Sequence, residues 1–409
     1  MELRIVNNRR EFDDFVISSP CCHYMKTSMW GEFRRINEGL KYELLGFYEN
    51  NVLQATALAF HGSWLMHKYI YVQKGPCLDY QNKELLDTVL KMLKDYADKK
   101  HVRFLRIDPN INRVPHDIKG NVLEGYNNEH ITEQIKSAGY IHKGYGYAYN
   151  GSWTNRYTLI IDLTADEKTI ESRFTKQRRT SLNRHKVSGV TTRFGTEEDI
   201  PSLMAFEKML SLQDGFPPHS HSFFKSLLDC FGEHAVMYVT EINLDTMISG
   251  IETELAGKKY AKDPEARAAK ERDLQRANEL KSKFGSSLPI AAGIFLRMAD
   301  WSWDLYTYNH KEFNFIKCVD NLHSFAIKDM KNSGVIHYDM CGFSGVTKKE
   351  DPEYGLYLYK SSFGPEYIEQ IGEFDYVRNS AAMKRYRFEK LAINHVKRDI
   401  WARKYKKKA

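Results

Sequence analysis

The sequence predicts an α/β protein built from two copies of one unit, with a helical hairpin inserted into the second copy. The order strand, strand, strand, helix, strand occurs twice along the chain, which duplication explains better than chance does. The chain has 409 residues, 42% of them hydrophobic and 13% aromatic, so it has enough apolar side chains for two or three cores. A disordered chain and a single small domain are both excluded.

The first copy follows an N-terminal strand from Leu3, a helix near 11–17 and a second helix that begins near Ser28 and buries Trp30 and Phe33. Alternating apolar residues predict its strands at 42–48, 53–60, 64–71 and 102–107. Its helix spans Lys83 to Lys99, because leucine, valine and tyrosine recur there at helical spacing. The last strand ends at Asp108-Pro109.

The second copy repeats this order in the C-terminal half. Its strands are predicted at 236–239, 289–296, 304–308 and 335–338, and its helix at 319–331. The last strand again ends in an aspartate, Asp339, as the matching strand of the first copy does.

Between the first two strands of the second copy, two apolar stripes at helical spacing predict an antiparallel hairpin over 244–285. Asp263 and Pro264 supply an N-cap and a first-turn proline for its second helix. The hairpin carries the basic residues Lys258, Lys259, Lys262, Arg267 and Lys270, among others. A solvated coiled coil and a nucleic-acid contact both fit this charge.

The net charge is +7, from 60 basic and 53 acidic residues, and its distribution is uneven. One acid-free basic run contains Arg173, Lys176, Arg178, Arg179, Arg184 and Lys186. The tail from Val396 is also basic. Such runs suit polyphosphate, nucleic acid or an anionic membrane face, although a lysine-rich terminus can be merely solvated.

The stretch 354–375 carries the most specific signal in the chain. Its leucines alternate with tyrosines up to Lys360, which predicts a strand that delivers a cation at its end. The alternative is an edge strand and turn packed on a core. An aminoacyl ester reacting with an amine needs an unprotonated nucleophile and a stabilised oxyanion. Lys360 suits the oxyanion and Asp108 suits the amine, unless Asp108-Pro109 only opens a turn.

Two motifs in this stretch, Gly355-Leu-Tyr-Leu-Tyr-Lys-Ser-Ser-Phe-Gly364 and Glu369-Gln-Ile-Gly-Glu-Phe-Asp375, resemble the C-terminal signature of the Fem aminoacyltransferases. Those bacterial enzymes use aminoacyl-tRNA to build peptidoglycan cross-bridges. The resemblance implies two acetyltransferase-like (GNAT-like) domains in tandem with a hairpin arm. It places the first domain at 1–150 plus 377–409, the second at 151–243 plus 286–376, and the arm at 244–285.

The resemblance also implies site residues. Lys360, Asp108 and Tyr308 are the catalytic candidates. The candidate substrate contacts are Arg34, Lys74, Asp79, Arg103, His219, Tyr306 and Asp339. Arg34 matches a cation that contacts the precursor diphosphate, and His219 stands where relatives often place a second one. The basic residues of the arm and of the run at 173–186 are the expected tRNA contacts.

The resemblance implies an enzyme that moves alanine, serine or glycine from aminoacyl-tRNA to the stem-peptide lysine of a lipid-linked peptidoglycan precursor (lipid II), as in the subgroup similar to MurM and MurN. A soluble UDP-linked muropeptide as acceptor, or a noncatalytic tRNA-binding or membrane-associated scaffold, are the alternatives. We expect no metal and no cofactor. Without a signal-peptide pattern or a long apolar run, we expect a cytoplasmic protein that touches the inner membrane face.

Overall fold

The protein is described by a computed structural model that covers residues 1–64, 67–148, 152–185 and 188–378. The described chain forms two seven-stranded sheets, each covered by helices. The basic tail from Val396 and the candidate tRNA contact Lys186 lie outside the described residues. In the described part, no helix combines the length and apolar character needed to cross a bilayer.

The first sheet has the strand order β1-β2-β3-β4-β5-β14-β6. Its strands are β1 (Glu2–Ile5), β2 (Lys41–Glu49), β3 (Val52–Trp64), β4 (His67–Val72), β5 (Phe104–Ile107), β6 (Ile141–His142) and β14 (Phe374–Val377). Neighbouring strands are antiparallel except β4 and β5, which run parallel along four residue pairs. The predicted meander and the strand leading to Asp108 are therefore present.

Four helices pack on this sheet: α1 (Arg9–Ser18), α2 (Ser28–Glu38), α3 (Lys83–Lys99) and α4 (Glu129–Ser137). Helix α3 has the predicted bounds and buries the predicted apolar face. Helix α2 begins where the Thr27 hydroxyl accepts a bond from the Trp30 amide, and it ends at Gly39, whose φ of 67° suits glycine. Its start and end fix the position of Arg34.

The second sheet has the order β13-β7-β12-β11-β10-β9-β8. Its strands are β7 (Tyr157–Asp162), β8 (Val190–Phe194), β9 (Ala235–Asn243), β10 (Ser287–Met298), β11 (Trp301–Asn309), β12 (His337–Phe343) and β13 (Glu366–Glu369). Its helices are α5 (Glu167–Arg173), α6 (Lys176–His185), α7 (Ile200–Asp214), α8 (His221–Phe231), α12 (Cys318–Asn332) and α13 (Tyr354–Ser361). Strands β11 and β12 are parallel.

The predicted hairpin consists of α9 (Leu244–Ala256), the short α10 (Lys258–Ala261) and α11 (Pro264–Phe284). Ile251, Leu255 and Ala277 form the buried seam between the two long helices. The Asp263 side chain accepts a bond from the Ala266 amide and caps α11, as predicted. The inserted arm is thus confirmed as a helical hairpin.

Two sequence predictions about local structure are wrong. The segment around Lys360 is the helix α13, because Tyr357 and Lys360, three residues apart, are buried, while Leu356 and Leu358 are exposed. Strand β12 continues past Asp339 to Phe343. The domain boundaries stay a prediction, with β14 pairing in the first sheet from Phe374 onward.

Candidate active site

The two sheets meet at a buried pair of opposite charges, Lys74 and Asp108. Their Nζ and Oδ2 atoms lie 3.7 Å apart, and both side chains are almost fully buried. Lys74 also donates to the Gln370 side chain at 2.6 Å and to the Asn155 carbonyl at 3.2 Å. Lys74 therefore links the first sheet to the segments that lead into and out of the second.

The Asp108 carboxylate is held by several donors. Its Oδ2 atom accepts a bond from the Tyr71 hydroxyl at 3.2 Å and another from the Thr154 hydroxyl. Strand β5 places Asp108 at its end, as the sequence predicted, while Arg103 precedes the same strand and lies at the opposite end. The structure therefore does not bring Arg103 to this site.

Asp339 lies within β12 beside a break in its pairing with β7 between Asp339 and Gly342. Its carboxylate accepts bonds from the Thr158 hydroxyl and from the Cys341 amide, the latter at 2.7 Å. Burial raises the pKa of Asp339, and the Thr158 bond and the charges of Lys360 and Lys74 oppose that rise. The carboxyl is thus desolvated between two lysines.

Lys360 points from the last turn of α13 toward the same break in β12. Its Nζ donates to the carbonyl oxygens of Gly342 at 2.9 Å and Cys341 at 3.1 Å. Cys341 has a φ of 60°, so its backbone is in the left-handed region that a non-glycine residue rarely adopts. This strained turn aims two carbonyls at one buried ammonium.

A further carboxyl, Asp304 on β11, belongs to this cluster and was not among the sequence-predicted site residues. Burial raises its pKa to about 6, and Asp339 adds to the rise, while Thr307 and Lys360 oppose it. The Thr307 hydroxyl donates to it at 2.6 Å, and a bulge in β11 lies beside it. An acid amid aromatic residues in a predicted strand was the available sequence signal.

Strands β11 and β12 pair only from Trp301 to Trp303 with His337 to Asp339. Beyond this point they separate, so that Asp304 lies on one side of the gap and Cys341 on the other. Lys360 lies close enough to both to affect their pKa values. The gap therefore holds an ammonium and two carboxyls away from bulk water.

Arg34 lines a cavity of about 310 Å³ together with Tyr69, Tyr71, Gln73 and Trp153. Its guanidinium donates to the Gln73 side chain at 3.2 Å and pairs with Glu38 at 2.6 Å. Tyr71 lines this cavity and donates to Asp108, so it forms the link between the two predicted residues.

Asp79 and Asp339 line a separate cavity of about 440 Å³, with Gln370 between them and the Lys74 ammonium. Asp79 is exposed at the mouth of this cavity, whereas Asp339 is buried. The cavity thus reaches from solvent to the charged centre.

Tyr308 and His219 both bind Glu207, a fully buried carboxylate that sequence reasoning missed. The Tyr308 hydroxyl donates to Glu207 at 3.0 Å, and the His219 ring lies 2.6 Å from the same oxygen. Burial and Glu207 raise the pKa of Tyr308 above its usual range. The ring centroids of Tyr306 and His219 lie 5.6 Å apart. Burial, Glu207 and Glu38 raise the pKa of Tyr306. Tyr306 thus packs on the ring of His219.

A profile of the FemAB family matches residues 8–390 of this chain. The chain belongs to the FemAB family. Among its curated relatives, the aminoacyltransferase FemA of Staphylococcus aureus is 25% identical over 397 residues, covering 89% of this chain and 93% of FemA. FemA of Staphylococcus epidermidis is 24% identical over 394 residues, with the same coverage of both chains. The predicted family and the predicted aminoacyltransferase class are confirmed.

The solved structure of FemX matches this FemAB protein with a TM-score of 0.78 at 20% identity, covering 94% of this chain and 99% of FemX. This likeness confirms the predicted fold of tandem acetyltransferase-like domains. The predicted position within the lipid II subgroup stays a prediction.

The basic residues expected to contact tRNA are mostly exposed in this FemAB protein, and Arg178 alone among those described is buried. Lys176, Arg184, Lys258, Lys262 and Arg267 are exposed, as are Arg173 and Arg179. Several of them have partners: Arg173 pairs with Asp162, Arg267 with Glu271, and the half-buried Lys270 with Glu254. The side chain of Lys259 is outside the description.

Arg178 differs from its neighbours, and its placement among exposed phosphate contacts is corrected. Its side chain is buried and pairs with Asp320. The Cζ atom of its guanidinium lies 4.6 Å from the ring centroid of Tyr359 and 4.4 Å from that of Phe363. It donates to the Ser362 hydroxyl at 2.6 Å. Arg178 therefore supports the helix that carries Lys360.

Proposed function

We propose that this protein transfers an amino acid from aminoacyl-tRNA to the stem-peptide lysine of a peptidoglycan precursor, forming the interpeptide branch. One observation carries the assignment. The Lys360 ammonium gives two of its three N–H donors to the carbonyls of Cys341 and Gly342, which leaves one donor for an oxyanion in the gap between β11 and β12.

In the proposed reaction, the acceptor amine attacks the ester carbonyl carbon, a C–N bond forms, and the C–O bond to the ribose breaks. The carbonyl oxygen gains charge during the attack, and the third Lys360 donor stabilises it. The attacking amine loses a proton, and Asp304 suits this step because a carboxyl with a pKa of about 6 accepts protons at neutral pH. The ribose oxygen takes up a proton as it leaves. Asp108 accepts bonds from the hydroxyls of Tyr71 and Thr154. Its ion pair with Lys74 then positions the turn that carries Lys74.

The acceptor would occupy the first-domain side of the site. The cavity of Arg34 offers a guanidinium and aromatic walls, which suit the diphosphate of the precursor. The cavity that runs from Asp79 to Asp339 suits the stem peptide with its cationic lysine, because its two charged ends are carboxyls. Tyr71, which lines the first cavity, donates to Asp108, and Gln370, which lines the second, accepts from Lys74. The two cavities thus lie on either side of the Lys74 and Asp108 pair, and one precursor spans them in this proposal.

The aminoacyl-tRNA end would approach from the opposite side. A cavity of about 380 Å³ lies between α6, the start of α12 and α13, and Thr175, Lys317 and Ser362 are among its lining residues. The exposed cations Lys176 and Arg184 lie on α6, the helix whose residues Gln177 and Arg178 line this cavity. Phosphate contacts of this kind bind RNA without reading its sequence, and they weaken as salt rises.

A surface cleft supports a lipid-linked acceptor and peripheral membrane contact. Its volume is about 960 Å³, it shares Tyr69 with the Arg34 cavity, and the exposed lysines Lys41 and Lys68 line it. Ile5 and Ile36 beside it are 53% and 51% exposed. Cations flanked by apolar side chains suit the surface of an anionic bilayer.

The test incubates the protein with purified lipid-linked and UDP-linked precursors and a panel of charged tRNAs, then weighs the products. We expect one amino acid to be added to the stem-peptide lysine, with faster transfer to the lipid-linked precursor. Transfer only to the UDP-linked precursor would overturn the choice of acceptor. Tight tRNA binding without any product from any pairing would favour the noncatalytic scaffold.

A further inference from the structure

Two cysteines far apart in sequence meet beside the candidate active site. The Sγ atoms of Cys21 and Cys77 lie 3.4 Å apart. Cys21 lies in the loop between α1 and α2, and Cys77 follows the turn that carries Lys74. Two backbone bonds with Thr56, of 2.7 and 2.9 Å, hold Cys77 against β3. The contact therefore joins two fixed segments of backbone.

The environment of the pair favours one thiolate. The Lys26 ammonium is buried beside it and donates to the Cys21 carbonyl at 2.5 Å. The bond from Cys77 lowers the pKa of Cys21 to about 4, against the effect of burial, and Lys26 and Ser19 lower it further. The pKa of Cys77 is raised by its bond to Cys21 and by burial. A thiolate beside a protonated thiol is the arrangement of redox-active pairs.

Small molecules have a route to one of the two sulfurs. Cys21 is half-buried and lines the cavity that contains Asp79 and Asp339, whereas Cys77 is buried. Cys230 is also half-buried, but burial raises its pKa, so its exposure is not matched by thiolate character. An oxidant that enters the cavity therefore reaches the more reactive sulfur first.

We propose that Cys21 and Cys77 form a dithiol that hydrogen peroxide oxidises to an intrachain disulfide, and that this bond slows the transfer reaction. The Cys21 thiolate attacks the peroxide, the O–O bond breaks, and a sulfenic acid and one water form. The Cys77 sulfur then attacks the sulfenic sulfur and displaces the second water. Two thiols lose two hydrogens in total, and the peroxide is reduced to two waters.

The bond would change the geometry of the site. A disulfide needs about 2.05 Å between its sulfurs, so the two sulfurs must approach each other by more than about 1 Å, and the side chains and the segments that carry them must adjust together. Cys77 is three residues from Lys74, whose ammonium contacts Asp108 and Gln370. Displacements of this size in a positioning segment reduce turnover strongly. This second part of the proposal rests on the proposed function, whereas disulfide formation does not.

The first experiment treats the reduced full-length protein with hydrogen peroxide and measures intact mass, followed by peptide mapping. We expect the loss of two hydrogens, a cross-linked pair of peptides that contain Cys21 and Cys77, and reversal by dithiothreitol. Cys21→Ser should abolish the cross-link, and Cys230→Ser should leave it unchanged. Cys77→Ala, checked by its melting curve, is the second variant.

The result that overturns the dithiol is a protein in which peroxide leaves Cys21 and Cys77 as thiols, converts Cys21 to a sulfinic acid, or links it to another cysteine. The second experiment compares transfer before and after peroxide. We expect about a tenfold loss in the wild type and little loss in Cys21→Ser. Equal activity of the reduced and cross-linked wild type overturns the effect on transfer. A cross-link in a protein with no turnover at all overturns the proposed function and leaves the dithiol intact.

Discussion

The two sheets differ in the length of their parallel strand pairing and in the surroundings of their buried carboxyls. In the first sheet, β4 and β5 pair along four positions, and each buried acid of that sheet has a close cation: Asp108 has Lys74, and Asp375 has Arg106. In the second sheet, β11 and β12 part after three positions, and Asp304 and Asp339 beside the opening have raised pKa values. Compensated charge stabilises a scaffold, whereas desolvated charge is available for chemistry. The two copies of the unit thus differ in role. We call the first sheet with its helices the holding half and the second sheet with its helices the reacting half.

The largest expected effect concerns the reacting half. Lys360→Met removes the donor proposed for the oxyanion, and we expect the rate constant of transfer to fall at least about 100-fold. Rapid-quench assays with saturating precursor and tRNA measure it. Lys348→Met, at an exposed position after β12, is the control and should keep full activity. Transfer that survives Lys360→Met nearly unchanged would break the division between the halves.

The holding half should show its importance in stability. Lys74→Met leaves the buried Asp108 carboxylate without its cation, and we expect the free energy of unfolding to fall by roughly 3 kcal/mol. Urea titration followed by fluorescence measures the change. Lys225→Met breaks an exposed ion pair with Glu197 and should have little effect. Equal stability of the two variants would contradict the assignment of Lys74 to the scaffold.

The raised pKa of Asp304 predicts a pH dependence of stability. Because the folded-state pKa, about 6, exceeds the unfolded value, the folded state binds the proton more tightly, and stability falls as pH rises from about 4 to about 6. Asp304→Asn keeps the Thr307 bond and should remove up to roughly 3 kcal/mol of that fall. Urea titrations at pH 4 and pH 7 compare the proteins. An unchanged difference between the two pH values would argue against a buried, titrating Asp304.

A binding effect should separate neighbouring arginines on α2. Arg34→Met removes the cation from the aromatic cavity, so we expect the KM for precursor to rise about tenfold while kcat stays the same. Arg35→Met is the matched control, since Arg35 is exposed and pairs with Glu32. Steady-state kinetics with varied precursor distinguish them, and equal KM values for both variants would remove Arg34 from the proposed site.

The smallest effect concerns tRNA. Replacing Lys176 and Arg184 by glutamine should reduce the slope of log affinity against log salt by about one to two units, because each cation neutralises one phosphate. Arg178→Gln should leave the slope unchanged and lower stability, because Arg178 is buried against Asp320. Filter binding at several salt concentrations measures the slopes. A slope that changes only with Arg178 would reverse the two assignments.

Much of the fold was predictable, because hydrophobic periodicity and end signals were strong where they succeeded. Helix α3 and its buried face agree with the sequence pattern, as does the cap of α11 at Asp263. The pattern failed at α13, since leucine and tyrosine are both apolar and their alternation does not distinguish a strand from a helix. Only the burial of Tyr357 and Lys360, three residues apart, distinguishes the helix from a strand.

The candidate site was predictable where a charge ends a strand, as at Asp108. Glu207 and Asp304 were missed, because what makes them special is their burial beside residues distant in sequence, such as His219 and Lys360. Arg178 was misplaced for the same reason. A basic run indicates total charge, but it does not reveal which cation turns inward to meet Asp320.

Strand β14 has a consequence for biosynthesis. It lies between β5 and β6, and it brings Glu373 and Asp375 to the buried Arg106. Before residue 377 leaves the ribosome, the N-terminal sheet lacks the strand that lies between β5 and β6, and Arg106 has no counter-charge from that strand. The N-terminal half must therefore wait in an incomplete state while the later half of the chain is still being synthesised.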